Sequence, residues 1–124
     1  MNTENERIRY SDAELQEFKQ LILDKIATAK ENYENLKARL VTEDTFRDTM
    51  EDSGDDVSRD RAGQRAQREI EYINKLKAAL VRIENKTYGV CRVTGKLIPK
   101  GRLMAVPHAT TSVEGKEIEQ RNKR

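Results

Sequence analysis

Two long stretches of the chain carry apolar residues at alternating spacings of three and four, and this constrains the fold more than any other feature. The first stretch, roughly 12–41, has Leu15, Phe18, Ile22, Ile26, Ala29, Tyr33, Leu36 and Leu40. The second, roughly 57–85, has Ala62, Ala66, Ile70, Ile73, Leu76, Leu80 and Ile83. This spacing puts the apolar residues on one helix face, as in a coiled-coil seam. Because neither face makes a core alone, the sequence predicts a mainly α fold built on a long antiparallel helical hairpin.

The starts of both helices carry capping signals. Ser11 precedes Glu14 by three residues, so the serine hydroxyl can accept from the Glu14 amide while the carboxylate accepts from the Ser11 amide. The second helix has three candidate caps, which are Asp55, Asp56 and Ser58. Acidic groups in a first turn also suit the helix dipole, so this segment is a good helix start.

Negative charge is concentrated between the two helices. Residues 43–60 contain eight carboxylates and two arginines, a net charge of −6 in a chain whose total is +2. A charge run of this kind is usually a solvated loop. A hairpin, however, would hold these carboxylates at one end as an acidic tip and place the basic C-terminal tail at the other.

Composition excludes several classes of protein. A length of 124 residues indicates one domain, or one domain plus an elongated arm. The single cysteine, Cys91, excludes an internal disulfide and suits a reducing compartment, so we expect a cytoplasmic protein. The first residues lack the apolar core of a secretory signal, and no run approaches the about 18 apolar residues of a membrane span. Without a phosphate loop, a nucleophile triad or a histidine–carboxylate metal motif, the chain is not expected to be an enzyme.

The chain is predicted to have three parts. These are a flexible N-terminal arm at 1–10, from which Tyr10 can fold back on the first helix; the hairpin at 11–86 with its tip at 42–56; and a small module at 87–124. The module is predicted to be non-helical from 88 to 112, with Gly89 in a left-handed turn and a short helix from about Val113 to Asn122. Its candidate core residues are Tyr88, Val90, Val93, Leu97, Ile98, Leu103, Met104, Ala105 and Val106.

From Tyr88 onward the sequence resembles the DksA/TraR family of bacterial transcription factors. The matching residues are Tyr88-Gly89-Val90-Cys91, Gly95, Ile98-Pro99, Arg102-Leu103, Ala105 and Pro107-His108-Ala109, together with Asp60-Arg61-Ala62 near the tip. The resemblance covers about residues 12–115. It implies a long helical hairpin with a four-cysteine zinc finger at its base.

The zinc ligands that this resemblance implies are largely lost. Of the four cysteine positions only Cys91 remains, because Thr94, Ser112 and Gly115 occupy the others. A structural zinc site needs four Cys or His ligands, and His108 would add at most a second. We therefore expect a degenerate zinc-finger-like module that folds by packing alone, with no zinc and no other cofactor. Since no neighbouring base is evident, Cys91 is expected to be a vestigial ligand or a small core residue rather than a nucleophile.

The resemblance also implies a function for the tip. Such a protein binds bacterial RNA polymerase and inserts its coiled-coil tip into the secondary channel, so that Asp56, Asp60, Arg61 and Ala62 would lie near the polymerase active site. Family tips carry two aspartates three residues apart, whereas here Val57 occupies the earlier position and Asp56 lies four before Asp60. Residues four apart still share a helix face, so Asp56 can substitute spatially.

The base of the hairpin supplies further candidate contacts. Lys96, Lys100 and Arg102 are expected to touch the polymerase surface or an acidic ligand, and whether an alarmone nucleotide cooperates stays open. No DNA-reading motif accompanies the basic tail, so neither sequence-specific DNA binding nor membrane association is expected. The alternative is a coiled-coil interaction or structural module that does not regulate polymerase, and the effect of tip substitutions on transcription distinguishes the two.

We predict that the protein is a monomer with an elongated hairpin. Two helices of about 29 residues at 1.5 Å per residue give a length of about 45 Å. Small-angle X-ray scattering should therefore yield a maximum dimension well above that of a compact globule of this length, whose radius of gyration is about 14 Å. A compact profile, or a concentration-dependent dimer with parallel helices, would contradict this.

Overall fold

A computed structural model of the chain describes residues 8–49 and 56–122, and the side chains of 8–41 and 60–122. Its helices are α1 (Asp12–Thr49), α2 (Asp56–Glu84), α3 (Lys100–Ala105) and α4 (Val113–Asn122). No strand occurs among these residues, and only an isolated antiparallel bridge pairs Val90 with Leu97. The predicted mainly α class is therefore confirmed. None of the described helices is long and apolar enough to cross a membrane.

The first helix is longer than the sequence pattern predicts. We expected α1 to end near residue 41, but it continues to Thr49, so the predicted tip at 42–56 is corrected to helix over 42–49. The reason is that no glycine or proline interrupts the chain before Gly54, and acidic residues inside a helix cost only about 0.7 kcal/mol each or less. Residues 50–55, including the predicted turn at Ser53-Gly54-Asp55, lie outside the described residues.

The other predicted helices are close to their observed bounds. The second helix runs over Asp56–Glu84, and the last short helix over Val113–Asn122 as predicted. The prediction of a non-helical stretch from 88 to 112 missed α3. This helix begins directly after Pro99, whose backbone (φ −57°, ψ 144°) is extended, and its six residues are too few for an apolar period to stand out.

The residues divide into two compact units. The first unit combines the chain up to Leu23 with the chain from Leu76 onward, and the second is Asp24–Lys75. Both long helices therefore contribute residues to each unit.

The core of the second unit follows the two apolar helix faces that the sequence predicts. Among the side chains that the structure describes, its buried apolar residues are Ile26, Ala29, Leu36, Ala62, Ala66 and Ile73. Three further residues of the predicted apolar faces are half-buried, namely Tyr33, Leu40 and Ile70. The buried residues in the first described turns of α2, Ala62 and Ala66, are alanines, so little side-chain volume separates the helices at these positions.

The core of the first unit departs from prediction at three positions. Ala79 is fully buried while Leu80 is only half-buried. The buried residues Leu76, Ala79 and Ile83 are thus spaced by three and then four, whereas the sequence pattern predicts four and then three. Met104 and Ala105, both predicted core residues, are exposed, Met104 at 59%, whereas Leu103 is buried. Neighbouring residues on a helix point about 100° apart, so the short α3 buries only one of these three residues.

The start of α1 is anchored rather than loose. Tyr10 is 3% exposed, and its hydroxyl donates to the carbonyl oxygen of Ile98. Its ring packs edge-on against Phe18 at 5.5 Å between centroids, and Phe18 packs on Tyr88 at 5.3 Å. Gly89 has φ +82°, and a Cβ atom there would lie 2.5 Å from the Tyr10 ring. The expectation of a flexible arm at 1–10 is therefore wrong for Tyr10, while residues 1–7 lie outside the described residues.

The predicted capping box forms as expected. The Ser11 amide donates to Glu14 Oε1 at 2.9 Å, and the Glu14 amide donates to Ser11 Oγ at 3.1 Å. Beside it, Asp12 pairs with Lys86 Nζ at 2.7 Å and with Arg9 at 3.1 Å. The hydrogen bond from Lys86, followed by that from Arg9, lowers the pKa of the Asp12 carboxyl. The first turn of α1 is thus joined to the residues that follow α2.

We predict that Tyr10 is a principal stabilising residue. Tyr10→Ala should lower the free energy of unfolding by about 3–5 kcal/mol, since it removes a buried aromatic ring. Tyr10→Phe should lower it by about 1 kcal/mol, because only the hydrogen bond to Ile98 is lost. Denaturant unfolding followed by circular dichroism measures both values. Ile8→Ala is the control, since Ile8 is 80% exposed, and an equal loss in the control would refute a specific anchoring role.

Candidate functional site

The first pair of former ligand positions lies in a tight turn after α2. The Cys91 amide donates to the Lys96 carbonyl at 2.8 Å, and the Gly95 amide donates to the Cys91 carbonyl at 2.8 Å. Gly95 has φ +75°, which a residue with a side chain rarely adopts. Within this turn the Thr94 amide donates to Cys91 Sγ at 3.4 Å. The turn therefore keeps the form of a ligand-holding loop around one remaining sulfur.

The second pair of former ligand positions lies at the start of α4. Ser112 caps this helix, because its Oγ accepts from the Gly115 amide at 3.0 Å and its carbonyl accepts from the Lys116 amide at 2.9 Å. The Ser112 hydroxyl also donates to Cys91 Sγ at 3.6 Å. The structure thus brings Cys91, Thr94, Ser112 and Gly115 together, as the resemblance implied.

Three contacts hold the two turns against each other. The Arg92 amide donates to the Thr110 carbonyl at 3.0 Å, and its guanidinium forms an ion pair with Glu119 on α4. Arg102 Nε on α3 donates to the Thr111 carbonyl at 2.8 Å. Because Thr111 and Ser112 are both buried, these bonds fix the second turn close to Cys91.

The space between the turns does not fit a zinc ion. A Cβ atom at Gly115 would lie 2.5 Å from Cys91 Sγ and 3.3 Å from Ser112 Oγ. Around a tetrahedral zinc with bonds of about 2.3 Å, neighbouring sulfurs lie about 3.8 Å apart, so such a site needs far more room at this position. Among the described residues, no group of three His, Cys, Asp or Glu side chains is arranged to hold a metal. The residues present therefore make a hydrogen-bonded cluster, and Gly115 permits its closure.

Cys91 is the centre of this cluster. The residue is 1% exposed. Burial raises the pKa of its thiol, but hydrogen bonds to the sulfur from Thr94 and then from Ser112 outweigh this effect and lower the pKa of Cys91 to about 6. The sulfur thus serves as an acceptor for groups on both turns. Its burial fits the expectation of a small core residue.

His108, considered above as an additional zinc ligand, lies in another hydrogen-bonded segment. It is half-buried, and its carbonyl oxygen accepts from Arg82 Nη2 of α2 at 3.4 Å. Next to it, the Tyr88 hydroxyl donates to the Pro107 carbonyl at 2.8 Å. This segment therefore links the end of α2 to the module.

The three basic residues predicted to make contacts at the base differ in availability. Lys100 Nζ pairs with Glu14 Oε2 at 2.8 Å, and Arg102 is engaged with Thr111 as described. The Lys96 side chain is exposed and has no hydrogen bond or ion pair within the described part of the chain. Lys96 is therefore the most available of the three cations for a partner.

The predicted tip residues lie together at the start of α2. Asp56 is the first residue of this helix, and its side chain lies outside the described residues. Asp60 and Arg61 are exposed, whereas Ala62 is buried at 7% exposure. Asp56 and Asp60 are one helical turn apart, so they share a side of α2. Charged groups thus face solvent beside an alanine that packs inward.

Sequence reasoning missed two groups of residues that build this site. It assigned no ion pair to Arg92 and Glu119, because nothing local signals a contact between residues so distant in sequence. It treated Tyr10 only as a residue that can fold back on α1. A large aromatic residue immediately before a capping box was a usable signal, since residues there often pack against the first turns of the helix.

We predict that the purified protein contains well below one zinc per chain. The reason is that Thr94, Ser112 and Gly115 supply no thiolate and the turns have closed around Cys91. Elemental analysis measures the zinc content, and thermal unfolding with and without a chelator should give the same midpoint. One zinc per chain, with a midpoint lowered by the chelator, would refute this account of the module.

Comparison with known proteins places these features in a family. The family model for the prokaryotic dksA/traR C4-type zinc finger matches residues 86–121. The RNA polymerase-binding transcription factor DksA of Caulobacter vibrioides is 31% identical over 115 residues, covering 92% of this chain and 81% of that protein. General stress protein 16O of Bacillus subtilis is 42% identical over 67 residues, covering 52% of this chain and 40% of that protein.

A solved structure agrees with this relationship. Transcription factor DksA2 from Pseudomonas aeruginosa matches with a TM-score of 0.76 and 27% identity, covering 90% of this chain and 87% of that one. The similarity therefore includes the two long helices as well as the C-terminal module. Since nearly the whole chain aligns with DksA of Caulobacter vibrioides, the protein belongs to the DksA/TraR family.

Proposed function

We propose that this protein regulates bacterial transcription by binding RNA polymerase and inserting its acidic hairpin tip into the secondary channel. The observation that carries the proposal is the start of α2, where the exposed charges of Asp60 and Arg61 precede the buried Ala62. The name of the Caulobacter relative, an RNA polymerase-binding transcription factor, supports the choice of partner. On this proposal the chain is a regulator and not an enzyme.

Insertion requires a narrow end, and the packing of the second unit suits it. A single helix with its side chains is about 10–12 Å across. Among the α2 side chains that the structure describes, Ala62 and Ala66 are the buried ones nearest the tip, so the two helices can approach each other closely at these positions. A pair of closely packed helices can enter a channel that would exclude a globular domain.

The carboxylates at the tip provide the chemistry. Inside the channel they would pair with basic groups or approach the catalytic magnesium ion, which prefers oxygen ligands. Asp60 is exposed and so needs no rearrangement to make such a contact. Asp56, one turn earlier, would supply the second carboxylate that family tips carry at a position one residue later.

The base of the hairpin would hold the protein on the polymerase. Lys96 is the preferred contact because its ammonium has no partner within the described residues. Lys100 and Arg102 would have to exchange Glu14 and Thr111 for a polymerase group or an anionic ligand such as an alarmone nucleotide. We further propose that the protein acts as a monomer in the cytoplasm, where its single buried cysteine would stay reduced.

One observation favours a second candidate function. Val57 stands where family tips carry the first aspartate, and a chain that had lost its tip activity could keep the hairpin as a protein-interaction module. The two functions differ in what the tip carboxylates do, since only the first requires them for an effect on transcription.

We predict that Asp56→Asn together with Asp60→Asn abolishes most of the regulation. The substitution removes two charges and keeps the shape, so the free energy of unfolding should fall by about 1 kcal/mol or less. Binding to RNA polymerase should persist, while the effect on initiation in a purified transcription assay should fall at least about tenfold, equivalent to about 1.4 kcal/mol.

The matched control for that experiment is Glu31→Gln with Glu34→Gln. Both residues are exposed on α1, and their substitution removes the same charge from the second unit. The control should regulate like the parent, whereas Ala62→Thr should impair regulation by separating the helices near the tip. Full regulation by the double asparagine variant would mean that the acidic tip is only a solvated segment, and the proposed function would fail.

A further inference from the structure

A polar groove lies between α1 and α2 within the second unit, on residues that the proposed function does not use. Its polar lining consists of Asn32, Asn35 and Arg39 from α1 and Arg65, Arg68 and Glu69 from α2. Its volume is about 360 Å³, which is within the range of small-molecule pockets. Leu36, which is buried at 7% exposure, gives this groove an apolar part. We call it the arginine groove.

The cations of the arginine groove are available for a ligand. Within the described residues, the guanidinium groups of Arg39, Arg65 and Arg68 form no hydrogen bond or ion pair. A guanidinium presents a planar set of donors that matches phosphate oxygens in pairs, and it stays charged at any physiological pH. Three such groups against one carboxylate give the groove a net positive charge. It is therefore suited to a ligand that carries several negative charges close together.

The one carboxylate in the groove, Glu69, also restricts which ligand fits. Arg65 and Glu69 are four residues apart on α2, a spacing at which opposite charges commonly pair, yet no ion pair joins them. Glu69 Oε2 is instead buried from solvent and accepts no hydrogen bond from the described residues. A buried carboxylate oxygen is destabilising unless a donor reaches it. The ligand that fits must therefore carry an N–H or O–H donor in addition to its negative charges.

We propose that the arginine groove binds a nucleoside di- or triphosphate, with its phosphates on Arg39, Arg65 and Arg68 and a hydrogen bond from its base or sugar to Glu69. The carboxamides of Asn32 and Asn35 can both donate and accept, as the edge of a base or a ribose requires. Leu36 offers apolar contact for a base or sugar. The proposal does not depend on the tip or on RNA polymerase, so it can fail while the proposed function stands.

The first test measures nucleotide binding to the full chain. Isothermal titration calorimetry with ATP and with GTP at low ionic strength should show one saturable site for at least one of them. Arg65→Gln with Arg68→Gln should weaken this binding at least about tenfold, or about 1.4 kcal/mol. Lys37→Gln with Lys75→Gln is the matched control, since both lysines are exposed in the same unit and neither lines the groove. The control should change the affinity less than about twofold, or about 0.4 kcal/mol.

The second test examines the role of Glu69 by comparing the affinity for the nucleotide with the affinity for inorganic pyrophosphate. The parent should bind the nucleotide more tightly than pyrophosphate, because only the nucleotide offers a donor to Glu69. Glu69→Leu removes both the negative charge and the acceptor, so it should strengthen pyrophosphate binding and reduce the preference for the nucleotide. An unchanged preference in this variant would refute the assignment of the donor contact.

Two other outcomes would overturn the proposal as a whole. One is that neither nucleotide binds at millimolar concentration, or that nucleotides bind to the double arginine variant as tightly as to the parent. The other is that nucleotides fail to bind while the double arginine variant loses affinity for RNA polymerase, which would make the groove a protein contact. Nucleotide binding that survives in the Asp56→Asn and Asp60→Asn variant would separate this site from the tip, as expected.

Discussion

The first unit depends on burying three aromatic rings, those of Tyr10, Phe18 and Tyr88, where the start of α1 meets the end of α2 and the module. A structural zinc contributes about 10–16 kcal/mol to the folding of small domains that bind it, and a module without zinc needs another source of stability. Each aromatic residue in such a core is worth about 3–5 kcal/mol by truncation. Packing of Tyr10 on Phe18 and of Phe18 on Tyr88 is therefore a source of stability that needs no metal.

The same unit shows how a cysteine cluster can be replaced without losing its turns. Threonine and serine at two former ligand positions keep their local hydrogen bonds, and both reach the Cys91 sulfur. Glycine at the fourth position allows α4 to approach this sulfur more closely than any side chain would permit. The two turns are therefore joined by hydrogen bonds to one sulfur, at the positions where the resemblance implies four zinc ligands.

Periodicity in the sequence predicts the long helices well because their buried faces are long and regular. It fails where a single residue decides the outcome. The observed end of α1 lies beyond the predicted one because carboxylates suggested a loop, although the sequence has no glycine or proline before Gly54. Met104 and Leu103 are both apolar, and the orientation of the six-residue α3 decides which of them is buried.

The candidate site was predictable to a similar degree. The resemblance identified the four former ligand positions, and the structure brings them together. The resemblance gave no indication that Lys100 and Arg102 bind groups of the same chain, since polar side-chain contacts between separate segments leave no periodic pattern. The arginine groove escaped notice for the same reason, because its residues come from two helices and look like ordinary solvated charges in each.

One carboxylate links the helix start to the charge of the base. Glu14 accepts from the Ser11 amide through Oε1 and pairs with Lys100 through Oε2, so its two oxygens serve two structures at once. A partner that drew Lys100 away would remove this ion pair from a side chain that is only 15% exposed. Conversely, fraying of the first turn of α1 would weaken the ion pair between Glu14 and Lys100. The order of this first turn and the ion pair are therefore coupled, and binding at Lys100 can be sensed as a change in helix capping.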